Sequence, residues 1–154
     1  MGYVMNNRKW EGGHDTSSQS KMLPKAGWGE YAQWLLGRRQ RFVVRENSMV
    51  PTLMPGDTIL AKIGVAVQIG DVVILRWRGF TNVPDSAYFS SPKSGSMPSD
   101  MLMIKRVSEV FYDGGIYLIS DNAHEPSARD SRHFGVVAAD KIIGRATSRL
   151  ATAL

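Results

Sequence analysis

Three stretches of the chain combine residue types able to move a proton and attack a carbonyl carbon. The first is Asn47-Ser48-Met49-Val50-Pro51-Thr52-Leu53-Met54-Pro55-Gly56-Asp57. A serine just past an apolar run, stiffened by Pro51 and followed by a Pro-Gly-Asp turn, sits on a rigid, exposed connection. Such a place suits a nucleophile, whose hydroxyl must stay fixed while substrate approaches; serine is also common in turns for purely local reasons. The second is Lys105, within Leu102-Met103-Ile104-Lys105-Arg106-Val107. A strand alternates its faces, so Met103, Lys105 and Val107 share one. Apolar neighbours there disfavour the ammonium form, and a lysine driven toward neutrality can take the proton from a serine hydroxyl. The same strand also fits an edge lysine whose ammonium reaches water. Arg106, on the other face, reads as a surface or substrate-facing charge. The third stretch runs from Ser120 to Gly135 and holds Asp121, Asn122, Ser127, Asp130 and Arg132. Asp130 and Arg132 are spaced to pair or to bond backbone and so lock the loop. That density of hydrogen-bonding groups between two apolar runs fits a site as well as it fits a polar surface loop.

The elements that must position these residues are mostly strands. Apolar runs at Phe42–Val44, Thr58–Ile63, Val72–Leu75, Met101–Val107, Ile116–Ile119 and Ile142–Ala146 alternate with Gly- and Asp-rich turns. Six short strands point to a mainly β domain with little helix. One short helix is expected before them: Trp28, Tyr31 and Leu35 fall at i, i+3 and i+7, with Ala32 and Leu36 alongside. Its apolar stripe is expected to pack on the domain; the alternative is an interfacial helix, because Trp34, Leu35 and Leu36 are followed by Arg38, Arg39 and Arg41. Residues 1–27, polar and rich in Gly, Ser and Asn, read as a flexible arm ahead of a domain spanning 28–154. Residues 79–100, with Pro84, Pro92 and Pro98, read as a loop insertion.

Composition narrows the chemistry. The 154 residues fit one domain, and 43% hydrophobic residues suffice for a core. The net charge of +5 is spread without a dense Lys/Arg block, so no nucleic-acid partner is expected. There is no cysteine, which removes disulfides, thiolate metal sites and a cysteine nucleophile. His14, His124 and His133 show no metal-ligand spacing, so neither metal nor other cofactor is expected. No stretch approaches the roughly 18 apolar residues of a membrane span, and the expectation is a soluble, cytoplasmic protein with at most peripheral membrane contact.

Ser48-Met49-Val50-Pro51-Thr52 resembles the Ser-Met-x-Pro-Thr signature of type I signal peptidases. Gly70-Asp71-Val72-Val73 resembles their next box, Lys105-Arg106-Val107 their Lys-Arg-Val box, and Asp121-Asn122 with Asp130-Ser131-Arg132 their final polar box. Order and rough spacing agree over about residues 41–149. The resemblance implies a signal-peptidase/SOS-repressor-like catalytic β domain, a Ser48 nucleophile, a neutral Lys105 base and no metal. It also implies that a serine of the final box steadies the lysine amine, which maps onto Ser127. Two departures stand out: one extra residue precedes Asp130, and Glu46 stands where a hydroxyl often helps form the oxyanion hole. Glu46 is expected to point away, leaving the Ser48 N–H as main donor.

Within that family the wording around Lys105 and Asp130 is similar to the small proteases that mature nickel-type superoxide dismutase, with mitochondrial inner-membrane peptidases as rivals. The expected activity is removal of an N-terminal leader from a precursor protein, such as a nickel-type superoxide dismutase precursor. Self-cleaving SOS-type regulators share the Ser/Lys pair, and Ala26-Gly27 offers a bond of the type they cut. A binding module that kept the fold without activity is the third reading.

Overall fold

A computed structural model describes residues 22–77 and 101–151. The expected loop insertion and most of the expected arm lie outside them. The elements are α1 (Trp28–Leu35), β1 (Gln40–Val43), a 3₁₀ turn at Asn47–Met49, β2 (Thr58–Ile63), β3 (Val72–Trp77), β4 (Met101–Val110), β5 (Gly115–Ile119), α2 (Ser131–Phe134), β6 (Val137–Ala138), a 3₁₀ turn at Ala139–Lys141 and β7 (Ile142–Ala151). The protein is mainly β. Its strands form one antiparallel sheet in the order β1-β2-β7-β3-β4-β5-β6.

The burial pattern explains the strand sequences. Val72, Val73, Ile74 and Leu75 are all buried, because β3 lies between β7 and β4 and has a core on each face. Val72 and Ile74 join Val44, Met49, Leu53, Ile59, Ala61 and Ala146 in one cluster. Val73 and Leu75 join Met103, Val107, Ile116, Leu118 and Val137 in the other. Each Val, Leu, Ile or Met side chain among them contributes roughly 1.5–3 kcal/mol when fully buried. β7 approaches β2 closely at Gly144, where a Cβ would sit 2.6 Å from the Lys62 carbonyl oxygen. Only glycine fits there.

Three sequence expectations change here. Residues 22–27 are not part of a loose arm: Arg149 N–H donates to Pro24 O (2.8 Å), Ala26 N–H donates to Arg149 O (2.7 Å), and Leu23 packs on the first core cluster. A seventh strand, β6, is two residues long and, among the described residues, pairs with β5 alone. The helix at 28–35 forms, but none of its residues is buried. Its polar side holds it to the body. Glu30 accepts from the Arg39 guanidinium through both oxygens (3.1 Å each) and from the Thr147 hydroxyl (2.7 Å).

Candidate active site

Ser48 lies on the 3₁₀ turn at the start of a closed loop between β1 and β2. The loop is shut at its base, where Val44 N–H donates to Asp57 O and Gly56 N–H donates to Val44 O, 2.8 Å each. Gly56 takes a positive φ of 92° in that closure. Met49 and Leu53, both buried, fasten the loop to the core. The Pro51 noted in the sequence follows a cis peptide bond.

Lys105 comes from β4 and enters from the other half of the sheet. Met103, Lys105 and Val107 are all buried, as expected for one face of a strand. Lys105 is 1% exposed, and its Nζ lies 2.9 Å from Ser48 Oγ. Burial, the largest influence, pulls the Lys105 pKa below its ordinary value. The charges of Glu46, Asp130 and Asp121 oppose the shift, and Arg132 adds to it. A hydrogen-bonded hydroxyl–amine pair with the amine biased toward neutrality is the arrangement in which proton transfer from Oγ to Nζ costs least.

Neither a protein-family model nor a curated protein matches this chain. The site therefore stands on its own geometry.

Arg106 is not a surface charge. It is buried because three partners surround its guanidinium: both Asp121 oxygens at 2.6 Å, Gly70 O at 2.7 Å and Thr52 Oγ1 at 3.2 Å. Adjacent on β4, Lys105 and Arg106 thus divide the labour: one faces the serine, the other ties the serine loop to the Asp121 loop. Asn122 completes that tie. Its backbone N–H donates to Ser48 O (3.0 Å) and its Nδ2 to Asn47 O (3.1 Å). A further clamp comes from β7: Arg149 Nη2 donates to Thr52 O (3.0 Å), and Arg149 Nη1 lies 3.4 Å from Asp57 Oδ2. Asp57 Oδ2 in turn accepts from Met54 N–H (2.9 Å). Arg149 was not singled out in the sequence, and Thr52 and Asp57 entered it only as part of the serine signature and of a turn. Pro-Gly-Asp reads as an ordinary turn, and nothing local pairs it with an arginine so far along the chain.

Asp130 caps α2 and accepts from Arg132 N–H (3.1 Å), from the Arg132 guanidinium (3.0 and 2.6 Å) and from Ser120 N–H (2.9 Å). Burial alone would raise its pKa; the Arg132 and Ser120 hydrogen bonds outweigh this and hold the carboxyl well below the usual range. Ser131 accepts from Leu118 N–H (2.8 Å), so the loop is stitched to β5.

Ser127 is not brought to the pair. It is exposed, and its hydroxyl donates to Glu125 at 2.6 Å. Ser127 faces outward, and the buried place beside it belongs to Ala128. Among the described residues Ser48 is the hydrogen-bond partner of Lys105 Nζ. Glu46 does not leave the site: it is exposed, it lines the same groove as Ser48, and its charge reaches Lys105.

That groove holds about 450 Å³ and runs between Arg41–Glu46 on one side and Met101–Ile104 on the other, with Met49 and Ile74 between them. Among the described residues, β1 pairs only with β2, and Met101–Lys105 of β4 pair only with β3. Within the described residues both flanks therefore present strand edges that can take an extended chain by main-chain hydrogen bonding.

Proposed function

We propose that the chain is a serine endopeptidase in which Ser48 is the nucleophile and Lys105 the general base, carried on a signal-peptidase-like catalytic β domain. The observation that supports this most is the 2.9 Å separation of Lys105 Nζ and Ser48 Oγ, with the amine buried and shifted toward its neutral form. In the proposed reaction a substrate strand lies in the groove with its scissile carbonyl at Ser48. Oγ attacks the carbonyl carbon while its proton passes to Nζ. The resulting ammonium gives that proton to the leaving amine as the C–N bond breaks, leaving an ester on Ser48. A water then attacks the ester, Lys105 again accepting and returning one proton, and the serine is restored.

The motif wording adds the substrate class: an N-terminal leader cut from a precursor, with a nickel-type superoxide dismutase precursor as the first substrate to test. Other leader peptidases of the same family would use the same pair on other precursors. Self-cleavage at Ala26-Gly27 fits less well, because Pro24 and Ala26 are hydrogen-bonded to Arg149 of β7 rather than lining the groove. Ser48→Ala and Lys105→Ala should each reduce peptide cleavage by at least about a thousandfold while the circular dichroism is unchanged. Full activity in either variant sinks the assignment. Incubating the dismutase precursor with the protein and reading the new N-terminus tests the substrate, and an uncut precursor excludes it.

A further inference from the structure

α1 is mounted inside out. On a helical wheel Trp28, Tyr31, Ala32 and Leu35 form one face, continued by Leu36 one step past the end, while Glu30, Gln33 and Trp34 lie on the other side. A helix on a water-soluble body ordinarily turns the apolar face inward. Here Glu30 is the anchor, through Arg39 and Thr147, and the apolar face points away from the sheet. Trp28 is 91% exposed, Leu35 78% and Leu36 68%. Contiguous exposed apolar surface rimmed by charge marks an interaction site.

The rim is cationic. Arg38 and Lys62 line one hollow with Gln33 at the end of the helix. Both are exposed and form no ion pair among the described residues. We propose that this face lies in the surface of an anionic phospholipid bilayer. Trp28, Leu35 and Leu36 enter the boundary between headgroups and acyl chains, and Arg38 and Lys62 meet the lipid phosphates. Tryptophan and tyrosine suit that boundary because their rings carry both an apolar body and a polar handle. A helix of eight residues is about 12 Å long, so it lies along the surface instead of crossing it. No helix among the described residues is long and apolar enough to cross. A second copy of the chain fits this face poorly. Two-fold pairing would set the same cations against each other, and one short helix falls well below the roughly 800 Å² per partner of a stable interface. The proposal does not rest on the Ser48–Lys105 chemistry.

The test is vesicle flotation of the full chain with phosphatidylcholine alone and with phosphatidylcholine containing phosphatidylglycerol. The anionic vesicles should bind at least about tenfold more tightly, release the protein in high salt and shift its tryptophan emission to the blue. Trp28→Ser/Leu35→Ser, at exposed positions, should fold normally and lose on the order of tenfold or more of that binding. Arg38→Gln and Lys62→Gln should each weaken binding roughly fivefold toward the neutral-vesicle level. Equal binding to both vesicles, no binding, or full binding by Trp28→Ser/Leu35→Ser overturns the proposal. A dimer in sedimentation equilibrium that this double variant converts to monomer would overturn it too, by assigning the face to a second copy.

Discussion

Lys105→Met removes the amine while keeping a side chain of similar length in the core, and it isolates what the buried lysine does to stability. In the unfolded chain the amine titrates near its ordinary value of about 10.4. In the folded protein burial pulls that value down, against the opposing charges of Glu46, Asp130 and Asp121. Below the folded pKa both states hold the proton, and the full cost of burying a charged amine is present. Between the folded and unfolded values the unfolded chain holds one proton more, so wild-type stability rises with pH. Above the unfolded value both states are neutral and the cost has gone. Within the window the slope for a single proton is about 1.4 kcal/mol per pH unit. The Met variant lacks this dependence, so its advantage over wild type should shrink by that amount for each unit of pH. Loss of the Ser48 Oγ partner adds an offset on the order of 1 kcal/mol that does not vary with pH. Urea denaturation of both proteins, in steps from about pH 7 to about pH 10 and with equal m values, measures the difference directly. A difference that stays flat across the whole range would show that Lys105 titrates as an exposed lysine does, and the argument for a neutral base would fall with it.

Glu46→Gln removes the negative charge that most favours the ammonium form of Lys105, so the rising limb of the cleavage pH profile should move to lower pH; a shift upward contradicts that electrostatic picture. Asp121→Asn strips the charge from a pair whose side chains are 9% and 2% exposed, leaving the Arg106 guanidinium buried against neutral partners. It should cost about 3–5 kcal/mol in urea denaturation, whereas Arg106→Leu/Asp121→Leu should recover much of that loss; equal losses in both would refute the pairing argument. Ser127→Ala should leave cleavage within about twofold, because a surface hydroxyl bonded to Glu125 has little to lose. A loss of tenfold or more would place Ser127 back at the amine.

What could be read ahead of the structure follows from how local each signal is. β2 was legible to the residue because Thr58–Ile63 is an apolar run bounded by turn residues on both sides. Strand alternation put Lys105 on one face with Met103 and Val107 but left open an edge lysine reaching water; the structure buries it. The same alternation misread Arg106, because periodicity reports which side a residue faces and not whether partners wait there. Asp121, Thr52 and the Gly70 carbonyl, scattered across the chain, make its burial affordable. α1 shows the same limit from the other direction. Its 3.6-residue period was plain, but which face docks was decided by Thr147 and Arg39, outside the helix. Ser127 was carried over by likeness of wording, which does not tell which way a loop residue points; its hydroxyl bonds Glu125 instead.

The order of the sheet has a consequence for timing. β1 and β2 flank the loop that carries Ser48, β3 and β4 bring Lys105, and β7 joins the two pairs by bonding β2 on one edge and β3 on the other. β7 is translated after all four. Until it has been made and has slotted between them, with Gly144 against Lys62 and Arg149 reaching Thr52 and Asp57, no strand pairing among the described residues joins one pair to the other, and the join rests on core packing and on the Arg106 and Asn122 ties. If Ser48 and Lys105 react as proposed, a nascent chain carries both groups before the strand that joins their two halves of the sheet exists.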